Sequence, residues 1–198
     1  MTHAEDPRNT RAVLFKQLED FMRHDVKNVL RMEHGGNYTA ALLIAVGAEA
    51  LGRIEDRSSD SVFIEMLTKH GVVDQHVAED IVDALRHGVA HVFETKYIEV
   101  GKKRIELVVS WGKLSHLTTT VTDPPGLVLN VRTMWEDFQR ALAEAARRLA
   151  AKPAWAEQAP KSWPKKWGKQ ASPKALPGWK KLFPCTAARR SWLRRHSP

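Results

Sequence analysis

Apolar residues recur at helical spacing along the first ninety positions, and the pattern divides into four segments. Val13, Leu14, Leu18, Phe21, Met22, Val26, Val29 and Leu30 form the first stripe. Asp6-Pro7 can open that helix, with Asp as the cap and Pro in the first turn. Gly35-Gly36 ends it, next to His34, which reads as a helix-end residue. A second helix is expected from about Tyr38 to Ile54. Ala40, Ala41, Leu43, Ile44, Ala48 and Leu51 give it a wide apolar face, as in a well-buried helix. A short third helix places Phe63, Met66 and Leu67 inward and stops at Gly71. Asp74 can cap a fourth, whose core face is Val77, Ile81, Leu85, Val89 and Val92. Four such stripes are what the core of a helical bundle requires.

The period then changes. Tyr97 to Val100 and Arg104 to Trp111 are β-branched and apolar around Gly101-Lys102-Lys103, which predicts a hairpin. Leu117 to Thr122 and Gly126 to Val131 flank Asp123-Pro124-Pro125, and predict a second strand pair or a bent extension. Thr133-x-x-Glu136 has the form of a capping box. Trp135, Phe138, Leu142, Ala145 and Leu149 then form the stripe of a fifth helix. After Ala151 the periodicity ends. The expected architecture is mostly α: four helices plus a C-terminal fifth, residues 8–151, with a β insertion at about 97–131. Residues 152–198 are expected to be a basic, Pro/Trp-rich, mostly disordered tail.

Charge sharpens this division. Twelve of the 31 basic residues, but one of the 23 acidic ones, lie in residues 152–198, so the first 151 residues carry −3 and the tail +11. Seven of the ten prolines and five of the seven tryptophans lie there too. Lys161-Ser-Trp163-Pro-Lys165-Lys166-Trp167 and Ser191-Trp-Leu-Arg194-Arg195 interleave cations with aromatics. That composition suits phosphate contact with base stacking, and makes Lys161, Trp163, Lys165, Lys166, Trp167, Arg194 and Arg195 candidate nucleic-acid contacts. It equally suits a partner- or membrane-binding segment, or an extension with no selected role. The single cysteine, Cys185, excludes an internal disulfide and a multi-cysteine zinc site, and a cytoplasmic protein is expected. The first eleven residues lack the apolar core of a signal peptide, and the longest apolar run, 40–48, is too short to span a bilayer.

The densest chemistry lies in Arg86-His87-Gly88-Val89-Ala90-His91. An imidazole can move a proton near neutrality, and a guanidinium can hold a phosphate and stabilise developing negative charge. Asp83, His87 and His91 share a stripe at i, i+4 and i+8, and Arg86 can pair with Asp83. Arg86 and His91, five residues apart, point about 140° apart around a straight helix. They would converge if the Arg side chain wrapped round, or if a second protomer met the first across a two-fold axis. Gly88 would permit such a close approach. His87 and His91 also have the spacing of a helical metal pair, but no Glu follows His87 and no third ligand stands out. The same stretch also fits an exposed polar helix face with one satisfied histidine.

Leu85-Arg-His-Gly-Val-Ala-His91, late in a helix of a helical bundle, resembles the R-x(4–6)-H signature of the HEPN superfamily, with His87 as the polar residue after the arginine. Asn130-Val-Arg-Thr-Met-Trp-Glu-Asp-Phe138 is similar to a stretch found in bacterial proteins of this kind. The resemblance covers residues 8 to 151 and stops before the tail. It implies a homodimer with a cleft between the motif-bearing helices, and metal-independent endoribonuclease activity with no cofactor. Carried over, Arg86 and His91 would be the catalytic pair and His87 their support, cleaving RNA to a 2′,3′-cyclic phosphate. It further implies a place in toxin–antitoxin or defence systems, with a separately encoded antitoxin or nucleotidyltransferase-type partner. The alternative is a non-catalytic RNA- or protein-binding module that works through the basic tail.

Overall fold

The computed structural model describes residues 10–32, 36–85, 97–100, 103–122 and 124–161. All of these lie within one compact unit, Met1–Trp163. Helix α1 (Arg11–Val29) opens at Thr10, whose hydroxyl accepts from the Val13 N–H. The expected Asp6 cap lies outside the described residues. The buried line of α1 runs through Phe15, Met22 and Val26. Phe21, expected inward, is 51% exposed, because it lies one residue, about 100°, round from Met22.

Helix α2 (Asn37–Ile54) is the spine of the domain. It packs against α1, α3 (Ser61–Thr68), α5 (Val131–Ala151) and the sheet. Its buried residues include Ala40, Ala41, Ala45, Gly47, Ala48 and Gly52, small side chains that let neighbours approach on several sides. Helix α4 (Gln75–Ala84) is capped by Asp74, whose Oδ1 accepts from the Val77 N–H at 2.9 Å. It buries Val77, Ala78, Ile81 and Val82, and packs against α3 and β1 (Tyr97–Val100). Leu85 follows, fully buried; Val89 and Val92 lie outside the described residues.

The hairpin forms as expected: β1 runs antiparallel to β2 (Lys103–Ser110), with Val100 opposite Lys103. The second expected pair differs. β3 (Gly126–Asn130) pairs in parallel with β2, Leu107 opposite Leu127, giving the order β1-β2-β3. Residues 117–120 follow the far edge of β3, through Leu117 N–H to Val128 O at 2.7 Å and Thr120 N–H to Gly126 O at 2.7 Å. They make a single isolated bridge, Thr119 to Leu127, in place of a strand. Leu117 is in the left-handed region (φ 56°), a backbone turn that interrupts extended geometry.

Strand β3 passes into α5 without a loop. The cap is Asn130, whose Oδ1 accepts from the N–H groups of Arg132 and Thr133 at 3.0 and 3.2 Å. This corrects the expected capping box at Thr133 and Glu136. The helix begins three residues earlier, because the short amide at the end of β3 already satisfies the first free N–H groups. Phe138, Leu142, Ala145 and Leu149 are buried as the stripe predicts.

The packed chain continues past Ala151 through a short helix, α6 (Pro153–Ala156), to Lys161. Arg11 organises this return. It is 1% exposed, pairs with Asp56, and donates through Nη1 to the Trp155 and Gln158 carbonyls, both at 3.1 Å. Its guanidinium lies 4.7 Å from the Trp155 ring centroid. A buried charge must be compensated where it lies, and these partners satisfy Nη1 and Nη2, while Nε finds no partner among the described residues.

Gly52 shows how closely α2 is approached. A Cβ there would lie 2.8 Å from the backbone oxygen of Ser58. Gly52→Ala should therefore cost about 1–3 kcal/mol, the usual range for overpacking. Gly112→Ala, where a Cβ meets nothing within 4 Å, should change stability by less than about 1 kcal/mol. Urea denaturation of the two variants checks this; equal stabilities would contradict the close approach at Gly52.

Candidate functional site

Helix α3 ends at Thr68, and the next two residues, Lys69 and His70, face α5. Gly71, at φ 67°, turns the chain away immediately afterwards. On α5, Asp137 falls between Met134 and Phe138 on the apolar stripe, so the helix carries a carboxylate into the interior, 1% exposed. Lys69 Nζ lies 2.5 Å from Asp137 Oδ1, and His70 Nε2 lies 2.7 Å from Oδ2. Arg140, one turn along α5, also donates to Oδ1. Burial pushes the Asp137 carboxyl up, but hydrogen bonds from Lys69, His70 and Arg140 outweigh it and hold the group below the usual carboxylate range.

His116 completes the cluster from the connection between β2 and β3. Its ring meets that of His70 edge to face, with centroids 5.2 Å apart. Asn130 fixes this connection. Its Nδ2 donates to the carbonyls of Gly112 and Leu114, at 3.1 and 2.8 Å, while its backbone N–H donates to His116 Nδ1 at 3.0 Å. Burial, with the neighbouring His70 and Lys69, pushes the His116 imidazole down to about 4, against a smaller opposing pull from Asp137. The ring is therefore neutral at pH 7. Because Nδ1 accepts a hydrogen bond, its proton sits on Nε2. That Nε2 is buried and finds no hydrogen-bond partner among the described residues.

His70, His116 and Asp137 offer one ligating atom each within 4.8 Å of one another, the raw material of a metal site. The donor set argues otherwise. His116 Nε2 carries a proton and has no lone pair for a metal, and the Asp137 charge is already spent on Lys69 and Arg140. What remains unsatisfied in the cluster is one hydrogen-bond donor, the His116 Nε2–H, and Lys69, Arg140 and Asp137 sum to a formal charge of +1.

None of these five residues was singled out by spacing in the sequence. A weak signal existed in Asp137, an acid inside the stripe of Met134, Phe138 and Leu142. The residues that were singled out lie elsewhere. Arg86, His87 and His91 are outside the described residues, as are Trp163, Lys165, Lys166, Trp167, Arg194 and Arg195. Asp83, the expected partner of Arg86, is exposed on α4. Lys161 is exposed, and its backbone N–H donates to Asp56 Oδ1 at 2.6 Å.

The lowered value of His116 has a definite consequence for stability. Between pH 6.5 and about 4 the unfolded chain binds a proton at this position that the folded chain does not. The contribution is fully present above pH 6.5 and is lost as the pH falls towards 4. It amounts to at most about 3 kcal/mol. His116→Asn keeps an acceptor for the Asn130 N–H and removes the titration. Over that interval the wild-type chain should lose more stability than this variant in urea melts. Parallel losses would show that His116 titrates normally.

Comparison with known proteins returned no match: no family model, no curated protein sequence and no solved structure is significantly similar to the chain.

Proposed function

We propose that the chain is a metal-independent endoribonuclease of HEPN type, acting as a homodimer. The observation that carries this reading is the sequence Leu85-Arg-His-Gly-Val-Ala-His91 directly following α4, a helix seated by its apolar face on the core of a mostly helical domain. The return of α5 against α1, α2 and α3 supports the helical bundle the resemblance implies, and the strands between α4 and α5 are an addition to it.

In this mechanism the ribose 2′-hydroxyl attacks the adjacent phosphorus in line, and the 5′-oxygen leaves. The products carry a 2′,3′-cyclic phosphate and a 5′-hydroxyl. His91 moves the proton, Arg86 neutralises the charge that builds on the phosphoryl oxygens, and His87 positions the pair. Two protomers supply the pair to one cleft, which resolves the divergence of Arg86 and His91 around a single straight helix. The basic residues beyond Lys152 add salt-dependent attraction for RNA. Toxin or defence activity, with an antitoxin or nucleotidyltransferase-type partner, is the biological setting that accompanies this reading.

The purified full-length chain should cleave RNA in excess chelator. Arg86→Ala and His91→Ala should each lower the rate about 100-fold or more, the range expected for loss of a proton-transfer or charge-stabilising group. Equal rates in wild type and His91→Ala would refute the mechanism. Salt-sensitive binding without cleavage, unchanged in His91→Ala, would favour a non-catalytic RNA-binding module instead.

A further inference from the structure

We infer that Lys69, His70, His116 and Arg140 form a binding site for a phosphoryl oxyanion at the junction of α3, α5 and the β2–β3 connection. This site includes no residue of the 86–91 hexapeptide and does not depend on RNA cleavage there.

The first argument is the balance of donors and acceptors. The acceptor at the centre, Asp137, is engaged at both oxygens, since Lys69 and Arg140 meet Oδ1 and His70 meets Oδ2. Each cation keeps protons to spare: an ammonium has three and a guanidinium five. His116 adds a buried N–H that no described residue accepts. A buried donor left unpaired costs about 1–3 kcal/mol, so a ligand that accepts from it gains that much on binding. The missing partner must therefore bring lone pairs.

The second argument is charge and access. Lys69, Arg140 and Asp137 sum to +1, which attracts an anion and repels a dication. The cluster also reaches the surface. The side chain of Arg140 is 58% exposed, that of Lys69 34% and that of His70 29%, while Asp137 stays buried beneath them. Asp137 thus holds the cations in place without neutralising the site.

The third argument is shape. The donors come from three separate segments: the residues after α3, the third turn of α5 and the connection carrying His116. A planar carboxylate is served by one arginine fork, whereas a tetrahedral group with three terminal oxygens takes donors from separate directions. His116 is neutral at pH 7 and can donate without adding charge. His70, bonded to Asp137 through Nε2, holds its ring edge to face against His116.

The group could belong to a free phosphate, to a nucleotide monoester or to a nucleic-acid backbone. The full-length chain would be titrated with inorganic phosphate, adenosine 5′-monophosphate and the dinucleotide ApA. Long-range imidazole ¹H–¹⁵N NMR correlations would be followed for His70 and His116. At least one of the three should shift both rings saturably, and the order of affinity identifies the source. Lys69→Met and Arg140→Gln, both at solvent-accessible positions, should each weaken that binding about tenfold or more, as loss of a charge-assisted hydrogen bond predicts. The inference fails if no phosphoryl ligand moves the rings. It also fails if the shifts persist unchanged in both variants, which would place binding elsewhere on this basic chain. Zinc chloride shifting the rings where phosphate does not would overturn it in favour of a metal site.

Discussion

A carboxylate with almost no exposure to water must be compensated where it lies, and Asp137 imposes that requirement on three parts of this fold. The end of α3 has to bring Lys69 and His70 to α5, and α5 has to present Arg140 one turn along. The β2–β3 connection has to seat His116 against His70. Asn130 anchors that connection while capping the helix that carries Asp137. Charge compensation and helix capping are therefore coupled through eight residues of one chain segment, from Asn130 to Asp137.

Helix α2 makes the geometry attainable. Its alanines and glycines allow α1, α3, α5 and the sheet to close around one axis. A larger side chain at Gly47 or Gly52 would meet Met22 and Phe138, or the Ser58 backbone. Arg11 is another buried charge. It ties α1 to the segment after α5 through Asp56 and two carbonyls. Both sites couple remote segments, and both use a charge that is costly unless the full set of partners arrives.

The chain thus carries two concentrations of polar chemistry with different origins. The Arg86–His91 hexapeptide is compact in sequence and supports a reading as a phosphodiester-cleaving motif. The Lys69, His70, His116, Asp137 and Arg140 cluster is dispersed over 72 residues and exists only through tertiary contact. Its donors fit the same class of chemical group, an anionic phosphoryl oxygen, and its neutral His116 is a product of burial.

The sequence by itself determined the helical stripes, the hairpin at Tyr97 and the fifth helix, because each is a local matter of apolar period and turn residues. It also determined the separation of a near-neutral body from a basic tail. It misplaced what depended on competition between neighbours. Thr133 and Glu136 have a capping box's spacing, yet Asn130 caps first because β3 delivers its amide to the helix start. Residues 117–122 have strand composition, yet along the far edge of β3 they make one bridge, because the left-handed Leu117 interrupts extended geometry. Only the tertiary structure decided that Asp137 is buried, that Lys69 and His70 reach it, and that His116 holds its proton on Nε2. Each of these follows from packing between segments far apart in the chain, where desolvation and partner geometry set the protonation and the charge.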